Sequence, residues 1–140
     1  MPKSICLDRD IDELFKARGR LVRRGKECRE LSAIYLIREL TSTPDALLMQ
    51  KRGEFLTLLI IPKRFVRKSH ERHKLQRWLR EAIRLSPRTT EIEGILNTVK
   101  KQALLGIRAE RVPSKELNWL IVKADIEIIL EHLLKAIERS

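Results

Sequence analysis

Apolar residues along the chain recur mostly at intervals of three and four, the spacing of one helix face. Ile11, Leu14, Phe15, Leu21 and Val22 predict a first helix over about residues 8 to 24, with acids in its first turn and bases toward its end, as the helix dipole favours. Gly25 either ends that helix or is tolerated inside it. A second helix, about residues 26 to 40, would bury Leu31, Ile34, Tyr35 and Ile37. Thr43-Pro44-Asp45 is a helix start, with Thr43 as N-cap and Pro44 at the first helical position. The segment it opens should end before Pro62. Leu56, Leu58, Leu59, Ile60 and Ile61 have little period, so they fit a buried helix or a short strand, with helix favoured.

Residues 69 to 85 give the clearest two-sided pattern. As a helix capped by Ser69, they put Leu75, Trp78, Leu79, Ala82 and Ile83 on one side and His70, Lys74, Arg77, Arg80 and Arg84 on the other. Residues 62 to 68 read as a basic loop, and Ser86-Pro87 stops the helix because a residue before proline is pushed out of helical geometry. A capping box, Thr90-Glu91-Ile92-Glu93, precedes Ile95, Leu96, Val99, Ala103 and Ile107 at helical spacing. Pro113-Ser114 opens a last helix reaching about residue 139. Its Ile126, Ile129, Leu130, Leu133, Leu134 and Ile137 widen the apolar stripe beyond one face, which implies burial from two sides, within the bundle or against a neighbouring subunit. Five Gly, five Pro and little β-branched alternation complete an all-α expectation: one domain over residues 1 to 140, a compact bundle of about six helices.

Charge changes the picture from fold to partner. The 140 residues carry a net +11, and residues 62 to 88 place ten Lys or Arg against Glu71 and Glu81. A second basic run extends from Lys16 to Lys26. Bases on one helix face can meet successive phosphates and release counterions, and arginine adds bidentate pairing. The candidate nucleic-acid contacts are Lys16, Arg20, Arg23 and Arg24 in the first patch. In the second they are Lys63, Arg64, Arg67, Lys74, Arg77, Arg80, Arg84 and Arg88. A solvated face that serves only solubility is the bland alternative, but such runs normally mix signs. Trp78 and Phe65 border the basic segment and could stack on a base, although core packing is favoured.

Catalytic and metal chemistry find no foothold in the sequence. His70 and His73 are three apart, where a zinc helix needs four, and Asp8, Asp10 and Asp12 lack the glycine and closing acid of a calcium loop. Glu127 and Glu131 read as solvated helix charges. The expectation is no enzyme activity, no metal and no cofactor. Two cysteines, Cys6 and Cys28, suit a reducing compartment. The apolar stretch from Phe55 to Ile61 is far too short to span a membrane, and the acidic N-terminal region has no signal-like run, so a cytoplasmic location without a membrane partner is expected.

A small, basic, helix-rich chain with two arginine-rich faces and no catalytic constellation resembles the small subunits of multi-protein CRISPR effector complexes, which act in antiviral defence. The resemblance implies several copies stacked along a guide-RNA ribonucleoprotein, holding target or displaced strand on the basic positions named above. Its partners would be single-stranded DNA or RNA, or an RNA–DNA duplex backbone, together with other subunits including copies of itself. The stripe of Ile126 to Ile137 would then serve subunit stacking. Two other readings stand beside it. One is a dimeric helix-turn-helix-like DNA-binding regulator whose helix from Ser69 enters a major groove. The other is a helical adaptor for an acidic protein or an anionic membrane.

Overall fold

The computed structural model describes residues 3–5, 8–17, 19–23, 28, 30–39, 53–109 and 119–139, and these form a mixed sheet with helices on both faces. In chain order the elements are β1 (Lys3–Ser4), α1 (Asp8–Lys16), β2 (Arg20–Val22), β3 (Leu31–Glu39), β4 (Glu54–Ile60), α2 (Ser69–Leu85), α3 (Pro87–Val99), β5 (Lys101–Ala109) and α4 (Trp119–Arg139). The sheet order is β1-β4-β5-β3-β2, with β1, β4 and β5 parallel and β3 antiparallel to both β5 and β2. The α2–α3 pair forms the crossover that returns the chain from β4 to the parallel β5.

This overturns the all-α expectation, and the reason lies in burial. Phe55, Leu59, Leu31, Ala33, Tyr35, Ile37, Ala103, Leu105 and Ile107 pack toward α2, α3 and α4, while Leu56, Leu58, Ile34, Leu36 and Leu104 pack toward α1. Strands covered on both faces lose the apolar–polar alternation and read as continuous apolar runs, which period alone cannot tell from buried helix. Leu31, Ile34 and Tyr35 fit helical spacing by coincidence; in the sheet Leu31 and Tyr35 point to one face and Ile34 to the other.

Two boundaries show how local signals misled. Ser86 is the N-cap of α3, its hydroxyl accepting from the Arg88 N–H at 3.2 Å, so the helix has already begun before Thr90. It stops at Val99 because Lys100 takes left-handed geometry (φ 57°) and bonds back to the Leu96 carbonyl. Ala103 and Ile107, which continue the helical spacing, therefore belong to β5. The starts expected at Thr43-Pro44 and Pro113-Ser114 lie outside the described residues.

The α4 stripe is consumed within the chain. Ile126, Ile129, Leu130, Leu133 and Ile137 are buried and Leu134 packs beside them, because α4 touches α2, α3, β2 and β3 together. The first of the two sources of its width, burial inside one chain, accounts for these positions without a subunit partner. Close backbone approach also needs glycine at Gly53, where a Cβ would stand 2.1 Å from the Leu96 carbonyl oxygen. The Gly53 N–H donates to Asn97 Oδ1 at 2.9 Å, fixing the start of β4 on the end of α3.

Candidate nucleic-acid interface

The α2 helix buries Leu75, Leu79, Ala82 and Ile83 against the helical layer and leaves His70, Lys74, Arg77, Arg80 and Arg84 exposed. Before it, residues 62 to 66 form a turn in which the N–H groups of Phe65 and Val66 donate to the Pro62 carbonyl. Arg72 reaches back to donate to the carbonyls of Val66 (3.0 Å) and Arg67 (2.8 Å), so it fixes this turn. Lys63, Arg64 and Arg67 are thereby presented in the open beside the helix.

The cations on this surface are not equivalent. Arg84 forms two hydrogen bonds to Glu81, at 3.1 and 2.7 Å, which hold the Glu81 carboxyl below its usual range and the guanidinium above its own. Arg88 lies 3.3 Å from Glu127 and 3.9 Å from Glu131, tying α3 to α4. Arg84 and Arg88 thus carry partners of their own, and the two glutamates read as solvated charges hold a cation. Lys63, Arg64, Arg67, Lys74, Arg77 and Arg80 make no ion pair with a described residue. Lys74 sits 4.8 Å over the Trp78 ring, which meets Trp119 edge-on at 6.0 Å, so Trp78 is occupied rather than open to a base. Arg64 similarly covers Phe65 at 4.7 Å.

A second surface lies on the other face of the sheet. The nine residues of α1 span roughly 13 Å, whereas five strands spread about 19 Å, so α1 covers only part of that face. The uncovered part is a cleft of about 680 Å³. Its floor comes from Ile34, Ile60 and Gly106, and Phe15, Arg20, Arg23, Ser32 and Arg108 stand around it. Gly106 lets α1 lie close, since a Cβ there would meet Leu14 at 3.1 Å and Ile34 at 3.0 Å. Phe15, expected in a core, is 51% exposed at the lip.

Arg108 was missed from sequence because it was placed in the tail of a helix. On β5 it follows Leu104 and Gly106 at intervals of two, on the face toward α1, and only strand assignment could have found it. Its Nε is buried without a hydrogen-bond partner among the described residues. A buried guanidinium N–H left unpaired is costly, and a small movement of the Arg108 side chain toward the cleft would let a phosphate oxygen or a base acceptor satisfy it. Arg20 and Arg23 are exposed at this cleft, Lys16 is exposed at the end of α1 and Arg24 lies outside the described residues. The two basic patches therefore occupy opposite sides of the sheet.

No family model matches the chain, and no curated protein matches it. Among solved structures, it is similar to the RNase P protein of Staphylococcus aureus, with 14% identity over 94% of each chain and a TM-score of 0.57. It is also similar to the RNase P protein from Thermotoga maritima, with 17% identity over 99% of this chain and 97% of that one, and a TM-score of 0.52. At such identities the likeness is one of fold. It overturns the CRISPR small-subunit resemblance, which rested on an all-helical chain. The regulator fails too, because α2 follows a strand and a turn, not the first helix of a helix-turn-helix. The helical adaptor loses its apolar helix face to the core, and no helix among the described residues is long and apolar enough to cross a membrane.

Proposed function

We propose that the chain is an RNA-binding protein of the RNase P protein kind, holding RNA backbone on α2 and its preceding turn and a single-stranded segment in the cleft. The observation that carries this reading is the pair of cationic surfaces on opposite sides of a sheet whose fold is that of two RNase P proteins. On α2, Arg77 and Arg80 lie three apart on one face and can grip adjacent phosphates, while Lys63, Arg64 and Arg67 extend the contact along the turn. In the cleft, Phe15 offers an exposed ring for stacking and Arg108 an Nε donor without a partner among the described residues, a pairing suited to an unpaired strand. The chain supplies binding, and any chemistry belongs to the RNA-containing assembly it joins.

Fluorescence anisotropy tests this with an RNA hairpin, single-stranded RNA, single-stranded DNA and duplex DNA of equal length. Salt-sensitive binding that favours RNA, with the single-strand share lost in Phe15→Ala/Arg108→Gln, is the expected result. Absence of RNA binding, or tighter binding to duplex DNA, would overturn it.

A further inference from the structure

Arg38 lies on β3, on the flank of α1 away from the cleft, and every nitrogen of its guanidinium is engaged. Nε donates to Gln102 Oε1 at 2.6 Å, Nη2 to Asp10 Oδ1 at 2.7 Å, and Nη1 to Glu13. Gln102 in turn donates from Nε2 to Glu54 Oε2 at 2.8 Å. Arg38, Gln102 and Glu54 are register neighbours across β3, β5 and β4, so this polar row is braced by three strands. Asp10 is buried and Arg38 only 18% exposed in its side chain. Burial opposes the charge on Arg38, yet the hydrogen bonds to Asp10 and Glu13 and the attraction of their charges together outweigh it and raise the pKa.

A helix of nine residues has little stability of its own and takes its pose from what it docks on. Leu14 and Ile11 give α1 an apolar seat, but hydrophobic contact is non-directional and leaves roll about the helix axis weakly defined. Asp10 and Glu13 are held by Arg38, whereas Phe15 lines the cleft on the opposite flank. Two residues along a helix turn the side chain by about 200°, so a roll that releases Glu13 carries Phe15 with it.

We propose that Arg38 is a positioning residue: its clamp on Asp10 and Glu13 sets the roll of α1 and thereby holds Phe15 at the cleft lip. The consequence for strand binding rests on the RNA-binding reading above; the effect on Phe15 does not. The protein has three phenylalanines, so uniform labelling with 4-fluorophenylalanine gives three fluorine resonances, with Phe15 assigned by Phe15→Leu. In Arg38→Met, and in the milder Asp10→Asn/Glu13→Gln, the Phe15 resonance should shift or broaden while that of buried Phe55 stays in place.

With a ten-nucleotide oligouridylate, Phe15→Ala should weaken binding about tenfold in the native protein, the scale of one lost stacking contact. In the Arg38→Met background it should add less than about twofold, because the ring has already left its place. An unmoved Phe15 resonance in both variants overturns the proposal, as does an undiminished Phe15→Ala effect. If Arg38→Met unfolds, the Asp10→Asn/Glu13→Gln protein decides by the same two readouts. If the native protein fails to bind the oligonucleotide, the RNA reading falls, and the fluorine spectra alone decide the role of Arg38.

Discussion

The α2 surface permits a signed prediction, because its arginines differ in their partners. Six cations, Lys63, Arg64, Arg67, Lys74, Arg77 and Arg80, lack an acid among the described residues, and Arg84 is paired with Glu81. If each of the six meets one phosphate of a single strand, the slope of log K against log salt is about −4.2, and affinity falls about 300-fold between 50 and 200 mM salt. Removing two contacts in Arg77→Gln/Arg80→Gln should bring the slope to about −2.8 and that fall to about 50-fold. Arg84→Gln removes a charge that Glu81 already offsets, so its effect should be well below that of Arg77→Gln. Glu81→Gln releases Arg84 and should steepen the slope by up to about 0.7 while tightening binding at low salt. Anisotropy titrations with a labelled single-stranded RNA at five salt concentrations measure the native protein and the four variants. Equal losses for Arg84→Gln and Arg77→Gln, or weaker binding in Glu81→Gln, would refute the reasoning that ion pairing ranks these residues.

Three further outcomes follow from local geometry. Gly53→Ala should cost about 3 kcal/mol or more, since its Cβ would meet backbone that cannot yield, and thermal melting should fall by about 10 °C. Lys100→Gly should stabilise by about 0.5–1 kcal/mol in urea unfolding, because it relieves a left-handed non-glycine at the α3 C-cap. NMR titration should place the Glu81 midpoint below the usual glutamate range, returning to it in Arg84→Gln. As the folded value is the lower one, the pair's contribution is present above the unfolded pKa and is lost as pH falls through the folded one; high salt should shrink the shift.

The basic helix was legible because its two faces differ in chemistry at helical spacing: Leu75, Leu79, Ala82 and Ile83 are buried and Arg77 and Arg80 exposed, as the pattern along residues 69 to 85 predicts. The end of α2 was legible too, since Ser86-Pro87 is a local stop, whereas the cap expected at Ser69 is not made: Lys68 is the N-cap, without a side-chain cap bond, and Ser69 is already helical. The sheet was not legible, because β3, β4 and β5 are covered on both faces and their pattern depends on which layers cover them. The cleft was hidden for the same reason. Phe15, Arg20, Ile60 and Arg108 lie on four different elements, and only strand pairing brings them together.

By itself, then, the sequence determined the net charge, the two basic runs and the amphipathic α2, all properties of neighbouring residues. Tertiary structure decided that Arg20 and Arg23 line one side of the sheet while the cations of α2 lie on the other, that Arg84 and Arg88 are neutralised, and that the broad stripe of α4 fills this chain's own core. Each of those depends on contacts between residues distant in the chain, whose energies arise only once the sheet and its two helical layers have assembled.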